Sequence, residues 1–214
     1  RYYCAYGQNQ GSKVRQRSAK KVVNDIVFLK ERYKVKGIQF RDPTFGISKQ
    51  FIDEFYKEMK EREVKISWGM ETRLDLLNKE NIKQMFEIGL RNINIGIETI
   101  NPEIAIKNKR ILAKKEHQEE LIEFCKNLGV KVSAFYILGY EEDDEETINS
   151  LIDYSIKLNT PLARFSIATP YPGTEYFSKL EKENKILTKD FEKYNQFTLV
   201  FKHEKLSKEK LQQL

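Results

Sequence analysis

The chain has 214 residues, 38 basic and 32 acidic side chains and a net charge of +6, a length that suits one domain with a sizeable core, though two small domains stay open. Hydrophobic residues at 40% and charged residues at 33%, with the two signs interspersed, describe a folded chain with a solvated surface. They favour no nucleic-acid footprint, although nucleic acid stays open as a partner. The longest apolar stretches are strand-sized, so no membrane span is expected.

Two cysteines, Cys4 and Cys125, are too few for a disulfide framework, and a reducing, cytoplasmic setting is expected. No signal peptide is visible, and the first residues, Arg1, Tyr2, Tyr3 and Cys4, suggest a processed or truncated start.

In chain order, Val22, Val23, Ile26 and Leu29 recur at helical spacing and predict a first helix that lacks its preceding strand. Residues 37–40 form a short apolar strand ending in Arg41, Asp42 and Pro43. Ser48 is placed to cap a helix that buries Phe51, Ile52, Phe55 and Met59. Residues 65–71 read as the next strand. Asn78 opens a helix carrying Ile82, Met85 and Phe86, which ends at Gly89. Residues 92–98 are a third strand, and a helix carrying Leu121, Ile122 and Cys125 closes at Gly129. Residues 131–138 are a fourth strand, followed by a helix built on Ile148, Leu151, Ile152 and Ile156. Residues 164–168 are the fifth. Farther on, residues 196–201 suggest a strand or extended arm, and Ser207 opens a short helix.

Strands about 30 residues apart with amphipathic helices between them predict repeated right-handed βαβ units and a parallel sheet. A complete eightfold barrel needs about 250 residues. The expected fold is therefore α/β, a partial (β/α)6-type open TIM-like barrel with its first strand missing or incomplete. Residues 1–188 are read as the core and 189–214 as the start of a C-terminal extension.

In such folds the working surface lies at the carboxyl ends of the strands. Asp42, Glu71 and Glu98 fall there, as do Gly139, Glu141, Glu142 and the run from Thr169 to Thr174. Carboxylates brought together repel unless a cation, amine or hydroxyl sits among them, so the set points to a polar ligand pocket. Trp68, Tyr136, Tyr140 and Tyr171 are read as packing residues first and pocket lining second.

Several segments resemble radical S-adenosylmethionine (SAM) enzymes, particularly the branch that often carries a cobalamin-binding domain. Residues 3–11, with Cys4, and Arg15 to Ser18 resemble the stretch after the last cysteine of that family's C-x3-C-x2-C motif. Asp42-Pro43-Thr44-Phe45 is similar to its "D-x-T-F" strand signature, and Gly96-Ile97-Glu98-Thr99 to its "G-I-E-S/T" strand. Ile137 to Glu142 resembles the back half of "G-x-I-x-G-x-x-E", with Phe135 where the first glycine would stand. Pro170 to Thr174 matches "P-x-P-G-T". The five motifs occur in the family's order and cover the chain to about Thr174.

The resemblance implies a [4Fe–4S] cluster held by three thiolates and a SAM bound at its open iron. It implies Cys4 as the third thiolate and the backbone around Phe40, Arg41 and Asp42 against the methionine amino group. Glu98 would lie near the ribose or the substrate, and Lys109 or Arg110 would neutralise the SAM carboxylate. Ile137, Gly139 and Thr169 would flank adenine. It further implies a small-molecule or peptide substrate, an electron donor such as ferredoxin or flavodoxin, and, through a separate domain, cobalamin.

The family pattern wants a cysteine three residues before Cys4, where Arg1 stands, and arginine cannot ligate iron. This chain alone is therefore expected to hold no intact cluster and to leave SAM uncleaved. Either a longer parent carries the cysteines upstream, or the parent is a degenerate homologue. Two other readings remain: a carboxylate-rich barrel enzyme, such as an aldolase or a hydrolase with a divalent cation at Asp42, Glu71 and Glu98, and a non-catalytic binding module.

Overall fold

The structure, a computed structural model, describes residues 2–11 and 13–214; Arg1, the position at which the family pattern wants a cysteine, lies outside the described residues. Two helices, α1 (Tyr6–Gln10) and α2 (Ala19–Tyr33), precede β1 (Gly37–Gln39). Next come α3 (Lys49–Glu61), β2 (Ser67–Thr72), α4 (Lys79–Glu87), β3 (Leu90–Glu98), α5 (Pro102–Lys107) and α6 (Lys115–Leu128). The chain continues through β4 (Lys131–Leu138), α7 (Glu145–Leu158), β5 (Leu162–Ile167), α8 (Glu175–Lys182) and α9 (Lys208–Gln213).

All five strands run parallel in the order β1-β2-β3-β4-β5. Each strand is laid beside the one before it, with no reversal of the kind that makes a doubly wound sheet. Successive right-handed crossovers then keep the helices on one face, and the sheet curls into a half-barrel. This is the α/β partial TIM-like barrel that the strand spacing implies.

The two faces of the sheet differ in chemistry. Ile93, Ile95 and Ile97 of β3 and Val132, Ala134, Tyr136 and Leu138 of β4 are buried beneath the helices. Asn92, Asn94 and Gly96, and Ser133, Phe135 and Ile137, alternate with them onto the concave side and are half-buried. There Asn92 Nδ2 donates to Gln39 Oε1 at 3.0 Å across Gly69. A Cβ on Gly69 would collide with both amide side chains, so only glycine allows this contact. A parallel sheet usually carries aliphatic residues on both faces; here the concave face sets Gln39, Asn92, Asn94 and Ser133 among Phe135 and Ile137.

Packing on the convex side explains the helix spacing. Phe40, Phe45, Phe51, Phe55 and Trp68 form one aromatic cluster joining α3 to β1 and β2, with ring centroids 4.6–6.0 Å apart. The expected caps are present. Phe51 N donates to Ser48 Oγ at 3.3 Å, Asn78 and Asn81 cap each other reciprocally, and Gly129 closes α6 at φ 85°.

Some expectations are corrected. Ile156 is 69% exposed, because on α7 the buried stripe runs Ile148, Leu151, Ser155 and Leu158, leaving Ile156 off the face. Residues 196–201, expected as a strand or extended arm, form no strand; Phe201 makes an isolated antiparallel bridge with Ile186, and Gln196 O accepts from Ile167 N at the end of β5. The short helices α1, α5 and α8 were not legible, since each is too brief to show a periodic stripe.

Candidate functional site

The carboxyl ends of the strands form one rim. At β1, Phe40 N donates to Gly69 O at 2.9 Å, and the Phe40 ring belongs to the core cluster, leaving Arg41 and Asp42 exposed on the loop. That loop docks on the end of β2: Phe45 N donates to Glu71 O at 2.8 Å, and Thr72 Oγ1 donates to Phe45 O at 2.8 Å. Arg41 Nη1 lies 2.9 Å from the half-buried Glu71 carboxylate.

At β3 the backbone departs from regular geometry. Gly96 pairs with Phe135 but Glu98 pairs with Tyr136, so the register slips by one, and Glu98 sits at φ 67°. A residue with a side chain pays strain in that region, which concentrates at functional sites. The slip folds the Glu98 carboxylate back over Gly96, where a Cβ would lie 2.5 Å from Glu98 Oε1. Arg110 Nη1 lies 3.3 Å from Glu98 Oε1, and Arg110 Nη2 donates to Gly96 O.

Tyr3 supplies the other half of this cluster. Its hydroxyl donates to Glu98 Oε2, and its ring meets Tyr140 edge-on at 5.9 Å. Burial, and then the adjacent Glu98 charge, push the Tyr3 phenol well above its ordinary range. Burial does the same to Tyr140, with Tyr3 and Glu98 adding to it. Among the described residues, the buried Tyr140 hydroxyl and Arg110 Nε have no hydrogen-bond partner. The hydroxyls of Tyr136 and Tyr176, in the core, are likewise without a partner.

The same segment is held from its other side, because Tyr176 N donates to Tyr2 O at 3.0 Å and the two rings lie 5.4 Å apart. Cys4 comes directly after these two anchored tyrosines and is half-buried beside them at the rim. Lys109 turns outward, its ammonium paired with Glu175 and 5.7 Å from the Tyr2 ring. Of the two cations proposed for the site, Arg110 is the one turned inward.

At β4, Ile137 packs with Ile104, Tyr140 and Ala168. Gly139 adopts φ 75°, with Leu211 of α9 packed where its Cβ would be. Glu141 is paired with Lys179 at 2.6 Å and Lys185 at 3.2 Å, and Glu142 accepts from Asn108 Nδ2 at 3.2 Å. At β5, Thr169 Oγ1 donates to Ile167 O at 2.9 Å, while Gln196 O accepts from Ile167 N at 2.7 Å. Gln196 Nε2 also donates to the Tyr171 hydroxyl at 2.9 Å.

Three of the strand-end carboxylates therefore carry counter-charges: Arg41 for Glu71, Arg110 for Glu98, and Lys179 and Lys185 for Glu141. Among the described residues no three His, Cys, Asp or Glu side chains are grouped to share a metal ion, so Asp42, Glu71 and Glu98 build no cage for a divalent cation. Trp68 and Tyr136 are core side chains. Tyr3 was missed as a site residue; its position directly before Cys4 was the available signal.

Cys125 lies on the convex side among Leu121, Ile122 and Ile95, and burial pushes its thiol up to about 12. It cannot reach the rim. A [4Fe–4S] cluster takes three or four thiolates, so the residues present, with Cys4 alone at the rim, do not by themselves hold one. Near the Cys4 segment the rim holds an ion pair between Arg110 and Glu98, with Tyr3 donating to the same carboxylate.

A family model described as the radical SAM superfamily matches residues 2–153. The chain belongs to the radical SAM superfamily. An uncharacterized methyltransferase of Pyrococcus horikoshii is 27% identical over 213 residues, covering 99% of this chain and 46% of that protein. The anaerobic magnesium-protoporphyrin IX monomethyl ester cyclase of Rubrivivax gelatinosus is 28% identical over 200 residues, covering 92% of this chain and 35% of the relative. Among solved structures, the radical SAM methyltransferase TsrM of Kitasatospora setae, with cobalamin and a [4Fe–4S] cluster bound, shares the fold. Its TM-score is 0.74 at 18% identity, over 85% of this chain and 35% of TsrM. The chain thus spans less than half the length of these relatives. No helix among the described residues is long and apolar enough to cross a membrane.

Proposed function

We propose that this chain is the SAM-binding core of a radical SAM enzyme, residues 1–188, followed from 189 by the start of a C-terminal extension. The observation that carries the reading is the joining of the Cys4 segment to the end of β3, through Tyr3, Glu98 and Arg110. One ligand bound there touches the cluster-side thiolate and the barrel rim together. SAM held there beside a [4Fe–4S] cluster would supply radical chemistry toward the substrate, its electron reaching the cluster from a donor such as ferredoxin or flavodoxin.

The chain's own residues have distinct parts in this reading. Cys4 is one cluster thiolate, and an intact cluster needs further thiolates besides those of these 214 residues. The backbone at Phe40, Arg41 and Asp42 receives the methionine amino group. Arg110 offers its free Nε to the SAM carboxylate, and Glu98, already oriented by Tyr3 and Arg110, meets the ribose. Ile137, Gly139 and Thr169 flank adenine. The polar concave face, with Gln39, Asn92, Asn94 and Ser133, faces a small-molecule or peptide substrate in a lumen that excludes water. Methyl transfer is the outcome favoured by the relatives' names, with cobalamin held by a separate domain. A cytoplasmic setting accords with thiolate ligation.

The test is calorimetric titration of SAM into the chain. Saturable one-to-one binding is expected, weakened about tenfold or more by Arg110→Met, equivalent to about 1.4 kcal/mol. Absence of binding, or equal binding by the variant, would sink the assignment of Arg110. Anaerobic iron and sulfide reconstitution of this chain is expected to fall well short of the ~4 irons of an intact cluster.

A further inference from the structure

His203 joins two segments more than sixty residues apart. Its Nε2 lies 2.7 Å from the backbone oxygen of Tyr140, and its Nδ1 lies 3.2 Å from Lys205 N and 3.1 Å from Leu206 N. Backbone amides only donate and a carbonyl only accepts. The ring therefore carries its proton on Nε2 and offers the Nδ1 lone pair to the two amides, which is the neutral tautomer. The residue is buried, and its ring lies 6.0 Å from that of Phe201.

The contact sits at a mechanically sensitive place. Tyr140 is the residue whose ring backs Tyr3, and Tyr140 N is itself held by Asp143 Oδ2 at 2.9 Å. A few residues beyond His203, Leu206 is buried and Leu211 packs on Gly139. The stretch from 203 to 211 thus clasps the loop after β4 at Gly139 and at Tyr140.

We propose that His203 is a positioning residue: a neutral latch by which the C-terminal segment holds the β4 rim, and which protonation opens. Protonated at Nδ1, the ring would set an N–H against the N–H groups of Lys205 and Leu206 and lose both hydrogen bonds. The charged and titratable groups around it are Asp143 and Tyr140 on the β4 loop, with Glu204 and Lys205 on its own segment. Lys205 Nζ reaches Glu142 O and Asp144 Oδ2, each at 3.0 Å. Asp143 is occupied by hydrogen bonds from Tyr140 N and the Thr147 hydroxyl. Its charge favours imidazolium, but neither its geometry nor that of any other neighbour replaces the acceptor that two amides lose. The inference is independent of what binds the rim.

The test is NMR on the full chain. Two-bond 15N correlations at about pH 8 should show the Nε2–H tautomer for His203. Hydrogen-exchange protection factors of Lys205 and Leu206 should be lower at about pH 5 than at about pH 8. His203→Asn places an amide oxygen near the Nδ1 position and should retain protection that no longer depends on pH. His203→Gln restores a donor toward Tyr140 O but not the acceptor, and should leave both amides unprotected. An Nδ1–H tautomer would overturn the proposal, as would a pH-dependent loss of protection that persists in His203→Asn.

Discussion

Removing the Arg110 guanidinium while keeping its bulk, as in Arg110→Met, isolates the ion pair at the end of β3. Glu98 and Arg110 are 16% and 19% exposed, so solvent screens their 3.3 Å contact only in part. The substitution also removes the hydrogen bond to Gly96 O. Glu98 keeps Tyr3 as a donor, so its carboxylate is not wholly abandoned. Loss of a charged hydrogen bond costs about 1.5–3 kcal/mol, and stranding a fully buried charge costs about 3–5 kcal/mol. With Tyr3 remaining and partial exposure, about 2 kcal/mol of destabilisation is expected from the lower range. Urea unfolding of wild type, Arg110→Met, Glu98→Gln and the double variant forms a cycle, and a coupling of about 1–2 kcal/mol is expected within the span seen for contacting pairs. If the two single losses add without coupling, Glu98 and Arg110 do not act as a unit and the geometry assigned to the rim is wrong.

Cys125 should resist a disulfide reagent at about pH 8 while Cys4 reacts, and should become reactive on unfolding. Burial raises its thiol from the ordinary 9.0 to about 12. The unfolded chain therefore loses this proton first: the contribution of the buried neutral thiol to stability is complete below about 9 and is lost as pH rises toward about 12. Phe55→Ala, at a fully buried ring in contact with Phe40, Phe45, Phe51 and Trp68, should cost about 3–5 kcal/mol in chemical denaturation. Gly139→Ala places a Cβ 3.2 Å from Leu211 at φ 75° and should cost about 1–3 kcal/mol, with weaker SAM binding in calorimetry. An unchanged midpoint for that variant would mean that α9 does not press on the β4 rim.

The half-barrel was legible in the sequence because its signals are local. Apolar residues at period two or 3.6, Ser48, Asn78 and Gly129 at helix ends, and short ordered motifs each act within one turn or one strand. Where a helix was too short to show a stripe, as at α1 and α5, or where the stripe had two candidate edges, as at Ile156, the pattern had no unique reading. The residues of the rim were identifiable one by one, since each ends a predicted strand. Their partners were not. That Glu98 faces Arg110 and Tyr3, that Lys109 turns outward to Glu175, and that His203 reaches Tyr140 depend on contacts between segments 12 to 95 residues apart. Local propensity carries no information about such pairings. They arise only when distant segments pack together: the one-residue slip of β3 against β4 sets Glu98 beside Arg110, and the docking of α8 and of the C-terminal segment sets the others.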